Sequence, residues 1–566
     1  MRSLRRDSIQ QLYHDHQWSA VVAAVPLPAS ERSAVPAADL LLLRALAQGQ
    51  LGQLSAAAQT LRFAARAYPR DARFPTELAG VFYREKRYGS AIRQLHRSLH
   101  WNAGDEYSRS FLGTVDFLQG NLAAALADWN PIQRPVLADQ RLETQTGLPP
   151  LLLDRIAPFA PGSVYTLSQY RRTQAELALQ PLFAATSFEL RPLPDARFDL
   201  ILHTVPHPAW RTAPFASLFS ALRSLPYQAV DPEFWNLRHS AVSLTSYLRW
   251  DAQKRMILAR LAGPIHSPDQ RLSLNLDARN ENWNLTRTLA TIPTPAQTSA
   301  NATGLNQERI NASLGLEELF GSRLLLRTAA GFSRRRFRSE IGLPVGSAFF
   351  TDTSAIDLHS ALRATLVDAV AHRFTLGATV GAQLSHYFAR PLGHSARLTA
   401  ALDSEWLPQA SGEPYRLHVQ ARAGETLGQI PFDELWMLGF DRDNPLWLRG
   451  HNGLVDGRKG NAPLGTRYLL GNVDFDRLLW RDPLVAVRVG PFVDTGRIYA
   501  ADAGQVASTL GSSVNQGTGS LFGSPIWLTD TGLQARVHLF SGSTLILGWG
   551  HDLRSGGNTF YSAISH

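Results

Sequence analysis

Two consecutive segments near the C-terminus, residues 464–480 and 483–500, alternate apolar and polar side chains. Because successive side chains of a strand point to opposite faces, each segment would have one apolar face and one polar face. In the second segment these faces are Val485, Val487, Val489 and Val493 against Arg488, Gly490, Asp494 and Gly496. In the first segment they are Leu469, Val473 and Phe475 against Tyr468, Asn472, Asp474 and Asp476. This pattern fits a barrel wall between lipid and a wet lumen, with a half-buried soluble sheet as the alternative.

Three short motifs lie on or beside these segments. Residues 448–451 are Leu-Arg-Gly-His in a loop, residues 472–475 are Asn-Val-Asp-Phe, and residues 492–496 are Phe-Val-Asp-Thr-Gly. In order and spacing they resemble the loop and strand signatures of the BamA/TamA superfamily of outer-membrane assembly and secretion barrels. His451 stands where that superfamily usually has Phe or Tyr, and Asp474 stands where it usually has Glu.

The resemblance implies a transmembrane antiparallel β-barrel of about 16 strands over residues 240–566. It also implies that the loop folds back into the lumen, where Arg449 meets Asp494 and Asp474. An arginine facing carboxylates can form a charge-assisted, bidentate pair, and a solvated loop arginine is the alternative. The predicted site residues are Leu448, Arg449, Gly450 and His451 in the loop, with Asp474, Phe492, Asp494 and Gly496 as their partners in the lumen.

Residues 1–140 show a repeat of 34 residues, which aligns Arg44-Ala45 with Leu78-Ala79 and Leu112-Gly113. This period is typical of tetratricopeptide repeats, in which each helix pair buries its apolar face against the next pair. The register places Gly52, Lys86 and Gly120 in turns between helices, and Ala57, Ala91 and Ala125 at close helix contacts. A partial fourth repeat is expected around Tyr13 and Trp18. The region is predicted to dock peptides or proteins, with a structural spacer as the alternative.

Residues 150–210 predict a small α+β module. A Pro-Gly turn, a helix over 167–178, and two strands over 187–193 and 198–205 resemble a single POTRA domain, the module that precedes the barrel in the same superfamily. Phe183 falls at the expected aromatic position and Asp195-Ala196-Arg197 at the hairpin turn. Exposed strand edges in such a module can bind extended segments by strand addition.

Alternating segments continue through residues 240–566. About 14 candidate strands can be counted, near the ranges 241–250, 254–263, 272–279, 306–318, 321–334, 354–366, 375–385, 394–407, 415–422, 464–480, 483–500, 528–540, 543–552 and 557–564. The intervals 291–306 and 501–524 suit outward loops. Short turns near Ala252 and Gly542 both suit the periplasmic side.

Composition excludes several classes of protein. Hydrophobic content is 44%, yet no apolar run of the roughly 18 residues that a membrane helix needs is present. The chain has no cysteine, which excludes disulfides and thiol chemistry. Its net charge of +9 suits anionic lipid, and nucleic acid is not an expected partner because no basic, aromatic-interleaved patch stands out. No catalytic or phosphate-binding motif and no metal-ligand spacing is found, so we expect neither enzyme activity nor a cofactor or metal.

The implied function is insertion, assembly or translocation of proteins at a bacterial outer membrane, with the N-terminal domains in the periplasm. Expected partners are unfolded outer-membrane or secreted clients, periplasmic proteins bound by the repeats, and outer-membrane lipid. The charged start, Met1 to Asp7, leads to no export signal, and this is the main point against that reading. The alternatives are an exopolysaccharide or polypeptide export pore, since helical repeats also precede such barrels, and a soluble scaffold with a β-rich domain.

Overall fold

The computed structural model describes most of the chain, with short gaps. The described ranges are 2–27, 35–143, 160–180, 182–207, 213–284, 304–339, 350–409, 413–482, 485–499, 527–539 and 543–565, together with a few single residues between them. The predicted outward loops at 291–306 and 501–524 lie almost entirely outside the described residues. The chain forms two compact units, the first built mainly from residues 1–138 and the second mainly from residues 199–566 with parts of 139–192.

The first unit is a series of helices in antiparallel pairs. The helices are α1 (Arg2–His14), α2 (Trp18–Ala24), α3 (Ala38–Gln50), α4 (Leu54–Ala67), α5 (Arg73–Arg84), α6 (Tyr88–Trp101), α7 (Glu106–Leu118) and α8 (Leu122–Trp129). Turns between helices recur at the predicted spacing, and Gly52, Lys86 and Gly120 in these turns have positive φ, at 74°, 58° and 77°. The alanines of the predicted register, Ala57, Ala91 and Ala125, are completely buried. The pair α1–α2 lies where the partial fourth repeat is predicted, and the Tyr13 and Trp18 rings are 4.8 Å apart.

A small sheet and one helix follow this array. The strands are β1 (Leu137–Glu143), β2 (Phe183–Pro192) and β3 (Phe198–Pro206), in the order β1-β3-β2, and the helix is α9 (Leu167–Leu179). The predicted hairpin turn lies between β2 and β3, where Ala196 has φ 61°. The order leaves β1 and β2 as the two edges of the sheet.

The largest part of the second unit is a closed β-barrel. Its longer strands are β6 (Val242–Trp250), β7 (Lys254–Pro264), β8 (Gln270–Asn284), β9 (Gly304–Phe320), β10 (Leu324–Ser339), β11 (Thr353–Ala369), β12 (Phe374–Tyr387), β13 (His394–Trp406), β14 (Tyr415–Gly428), β19 (Arg467–Arg481), β20 (Val485–Tyr499), β21 (Leu528–Leu539), β22 (Thr544–Asp552) and β23 (Asn558–Ser565). Four short strands join the same sheet, namely β4 (Ala229–Val230), β5 (Glu233–Leu237), β16 (Leu454–Val455) and β17 (Arg458–Lys459). Another short pair, β15 (Trp436–Met437) and β18 (Leu464–Gly465), stands apart from the wall.

The strand prediction is confirmed for every long strand and incomplete for the short ones. All 14 candidate segments coincide with long strands, whereas the sheet order runs through 18 strands once the four short ones are included. The count of about 16 that the resemblance implies is not confirmed. The barrel also begins earlier than the predicted residue 240, at Ala229, because the broken strand β4–β5 pairs with β6.

The predicted alternation sets the two surfaces of the wall. Outward side chains such as Leu274, Val380 and Leu533 are 54%, 55% and 54% exposed, whereas polar side chains on the other face are buried. On β19 and β20 the buried polar set is Asn472, Asp474, Asp476, Arg488 and Asp494. The wall is therefore apolar outside and charged inside.

The prediction that the turns near Ala252 and Gly542 share one side is wrong. Antiparallel pairing places the β6–β7 turn at the end where Asn284 faces Gly304, and the β21–β22 connection at the end where Thr544 faces Ser565. These are opposite ends of the barrel, since strand direction alternates around the wall. The length of a turn does not reveal at which end of the barrel it lies.

Helix α9 lies at the end of the barrel that carries the turn before β8. The Gln180 side chain donates to the backbone carbonyls of Pro268 and Gln270, at 3.2 and 3.1 Å. Arg171 pairs with Asp368 at 2.7 Å at the same end. Among the described residues, no helix is long and apolar enough to cross a membrane.

Candidate functional site

A long loop, residues 429–466, fills part of the barrel interior and is called the lumen loop below. It connects β14 to β19, which pair directly with each other, so the wall is continuous without the loop. The short strands β16 and β17 belong to the loop and reach the sheet through one parallel pairing, Lys459 with Trp283 of β8. Its apolar residues Phe432, Leu438 and Leu448 are 1%, 0% and 0% exposed. The loop therefore packs inward as a folded element held by both apolar and charged contacts.

Arg449 is the most extensively bonded residue of the lumen loop. Its Nε and Nη2 donate to the two carboxylate oxygens of Asp494, at 2.8 and 2.6 Å, in a bidentate pair. The Arg449 backbone N–H also donates to Asp494, at 3.0 Å. Arg449 is 3% exposed and Asp494 is fully buried, so water screens this pair very little.

Asp474 provides the second carboxylate for Arg449. Arg449 Nη1 donates to Asp474 at 2.7 Å and to the Gln534 amide oxygen at 2.9 Å. The Gln534 amide nitrogen donates back to Asp474 at 2.9 Å, and Arg536 reaches the other Asp474 oxygen at 3.0 Å. Arg449 and Arg536 thus share the Asp474 carboxylate. Through Asp474, Asp494 and Gln534, Arg449 links the lumen loop to three consecutive strands, β19, β20 and β21.

Phe492, Leu448 and Gly496 shape the surroundings of this pair. The Arg449 guanidinium carbon lies 3.7 Å from the centre of the Phe492 ring, a cation–π distance. Leu448 packs in a cluster with Leu438, Leu470 and Ile498. A Cβ at Gly496 would lie 3.2 Å from the Leu438 side chain, so glycine leaves room for the lumen loop there.

Gly450 and His451 bind the next two strands. The Gly450 N–H donates to Asp530 at 2.6 Å, and a Cβ at Gly450 would lie 2.7 Å from the same carboxyl carbon. The His451 ring lies between Asp530, at 2.9 Å, and Asp552, at 3.4 Å. Phe or Tyr, usual at this position in the resembling superfamily, could not bridge two carboxylates in this way.

Among the described residues, His451, Asp530 and Asp552 form one group whose side chains could hold a metal ion. His451, Asp530 and Asp552 each offer one ligand atom, and these atoms lie within 4.8 Å of one another. His451 already bridges the two carboxylates by hydrogen bond and ion pair, and Gly450 satisfies an Asp530 oxygen. Contacts within the protein therefore already satisfy these three side chains.

Two further groups of charges fix other parts of the lumen loop to the wall. Near its start, Glu434 pairs with Arg335 at 2.8 Å and with Arg397 at 2.5 Å. Near its end, Lys459 pairs with Glu281 at 3.1 Å, which also pairs with Lys254 at 3.1 Å. Apart from Arg397, whose side chain is 17% exposed, these side chains are at most 10% exposed.

The structure brings all eight predicted site residues into one region. Sequence reasoning missed Gln534, Arg536, Asp530 and Asp552, and it missed the two further charge groups. Asp530, Gln534 and Arg536 alternate along one face of β21, so the alternation used for the two preceding strands would have found them. The partners of Glu434 and Lys459 are distant in sequence, and no local pattern pairs them.

Comparison with solved structures gives weak but extensive likenesses. BamA from Haemophilus ducreyi, in a form lacking POTRA domains 1–3, is similar with a TM-score of 0.44 at 11% identity, over 76% of this chain and 84% of that one. CdiB from Escherichia coli gives 0.48 at 11% identity over 76% of each chain, and CdiB from Acinetobacter baumannii gives 0.42 at 12% over 86% of each. Neither a protein-family model nor a curated protein sequence matches the chain.

Proposed function

We propose that this chain is an outer-membrane β-barrel that inserts or translocates proteins. Its outward face is an apolar surface and its inward face is charged, which suits a wall between lipid and water. Closure pairs the strand edges around the wall, as the hydrocarbon core of a bilayer requires. In this proposal the helical repeats, the small sheet β1–β3 and helix α9 lie in the periplasm, so the barrel end next to α9 is the periplasmic end.

The observation that carries the proposal is the buried bidentate pair between Arg449 and Asp494. Such a pair holds the lumen loop against β19–β22, where it occupies the interior of the resting barrel. The protein's action is then conformational: clients pass or pair at the junction of β23 with β4, while the seated loop supports the wall beside it. No bond of the client needs to be broken.

The N-terminal part offers two surfaces for clients or periplasmic partners. The helical array presents the faces of paired helices, which suits peptide docking in repeat proteins. The small sheet presents the edge strand β2, which can accept an extended segment by strand addition, whereas the other edge strand, β1, already pairs at Leu137 with Gly162 and Ser163. Both surfaces recruit polypeptides and neither requires chemistry.

The test is insertion of an unfolded outer-membrane protein into liposomes that contain the purified full chain. We expect the chain to accelerate insertion and Arg449→Ala to lose most of the acceleration. The matched control is Arg554→Ala, which removes an exposed arginine outside the lumen loop and should insert the client like the wild type.

Two results would count against the proposal. Equal insertion rates with and without the wild-type chain would exclude insertion and leave translocation as the proposed activity. Ion conductance without any effect on protein insertion or passage would favour an export pore for another polymer.

A further inference from the structure

Helix α10, residues Pro214–Leu222, exposes its large apolar side chains and buries its small, mostly polar ones. Its large apolar side chains Phe215, Leu218, Phe219 and Leu222 are 86%, 46%, 54% and 39% exposed. Their spacing of three and four residues places them on one face of the helix. A helix of a water-soluble surface would bury this face against the protein.

The opposite face of α10 is small and mostly polar, and it is the buried one. Ser217, Ser220, Ala221 and Ser224 are between 4% and 6% exposed. Small residues at a helix contact with large apolar residues outside are typical of helices packed in lipid. No residue between Pro214 and Leu222 carries a charge.

Specific bonds fix α10 to the first strand of the barrel. The Ala221 carbonyl accepts from the Asp231 N–H at 2.7 Å, which joins the helix to the segment between β4 and β5. Arg223, just after the helix, donates to Glu233 at 2.7 Å and to Ser220 at 2.7 Å. The position of the exposed face relative to the wall is therefore determined.

The exposed face is continuous with the outward surface of the barrel. Phe234 on β5 pairs in register with Leu244 of β6 and is 40% exposed, and Leu225, just beyond the helix, is 50% exposed. This location is the closing junction of the barrel, because β4 neighbours β23 in the sheet order. The Tyr227 hydroxyl donates to Ser562 of β23 at 2.7 Å across that junction.

We propose that the exposed face of α10 is embedded in the acyl chains of the membrane beside the closing junction. Nine residues are far too few to span a bilayer, so α10 lies against the wall within one leaflet. There it covers the side of the broken strand β4–β5 and excludes lipid from the polar groups of Asp231 and Glu233. This inference rests on the proposed membrane barrel.

The test uses the absence of cysteine from the chain. Single variants Phe215→Cys and Leu218→Cys carry an environment-sensitive fluorophore, and the full chain is placed in liposomes containing lipids with a quencher on the acyl chain. Leu274→Cys, on the outward face of β8, is the lipid-facing reference, and Tyr107→Cys, 66% exposed on α7, is the aqueous control. We expect the labels on α10 to lose as much fluorescence as the label at 274, while the label at 107 loses none.

The label at position 274 distinguishes a failure of the embedded helix from a failure of the membrane barrel. Quenching at 274 without quenching at 215 and 218 would overturn the embedded helix and leave the membrane barrel standing. Apolar emission at 215 and 218 without quenching would also overturn it, because the face would then be covered by protein such as a second copy of the chain. Absence of quenching at 274 would contradict the proposed membrane barrel itself, and the embedded helix with it.

Discussion

At the scale of single residues, the lumen loop depends on a few buried charges that satisfy one another. A guanidinium carries five N–H donors in a fixed plane, and Arg449 uses its Nε, Nη1 and Nη2 on Asp494, Asp474 and Gln534. Lysine at this position could not form the bidentate contact. The strength of the site therefore comes from geometry as well as charge.

Removal of one member of the Arg449–Asp494 pair should destabilise the barrel. Arg449→Ala leaves two buried carboxylates with less compensation, which costs about 3–5 kcal/mol for a buried pair. Asp494→Asn should lower stability in the same direction by less, because Asp474 still faces Arg449. The temperature at which the folded band converts to the unfolded band in gel electrophoresis measures both, with Arg554→Ala as the control. If both variants kept the wild-type conversion temperature, the pair would not stabilise the barrel.

Gly450→Ala should displace the lumen loop without changing any charge. The new methyl group would lie 2.9 Å from the Asp552 backbone nitrogen, which cannot rotate away. It would also lie 2.7 Å from the Asp530 carboxyl carbon, so this carboxylate would have to move out of its contacts with the Gly450 N–H and His451. Gly471→Ala is the control, since its nearest neighbour would be at an ordinary 3.5 Å. We expect the conversion temperature to fall for Gly450→Ala only; equal temperatures would show that the loop adapts freely at this point.

At the scale of elements, the sequence predicted structure wherever a pattern repeated. The period of 34 residues located the helix pairs, and alternation located all 14 long strands. It missed β4 and β5, because two and five residues are too few to show alternation. It also missed α10, because its apolar stripe lies among small polar residues and no local signal shows which face is outside.

The helical array contains two neighbouring acidic groups, the buried Asp116 and the half-buried Asp128, and their titration leads to a prediction about pH. Burial, followed by the nearby charge of Asp128, raises the pKa of Asp116 to about 7. Burial raises the pKa of Asp128 to about 6, against a smaller opposing effect of Arg109. One Asp116 oxygen is buried without a hydrogen bond, in keeping with a carboxyl that prefers to be neutral.

The stability of the array should therefore fall as pH rises from about 4 to about 7. The folded Asp116 keeps its proton in this window while the unfolded chain releases it, so the unfolding free energy drops by up to roughly 1.4 kcal/mol per pH unit. Thermal loss of helical circular dichroism in the full chain measures this, and Asp116→Asn should flatten the dependence. A dependence that is unchanged in the variant would assign it to other groups.

At the scale of the whole molecule, the wall and the lumen loop form one system. The loop is joined to β8, β10 and β13 through Glu281, Arg335 and Arg397, and to β19–β22 through the Arg449 region. The resemblance in the sequence predicted the last of these attachments. The others depend on which strands face each other across a closed barrel, and no local pattern carries that information.

The most direct test of the central claim is the protection of a buried position in the lumen loop. Ala462 is 4% exposed, and Ala462→Cys would be the single cysteine of the chain. With Arg449 present, a membrane-impermeant maleimide should modify this cysteine slowly in the folded protein; with Arg449→Ala added, modification should be much faster. Tyr107→Cys should react quickly in both backgrounds. Equal rates at position 462 with and without Arg449 would contradict a lumen loop held in place by its arginine.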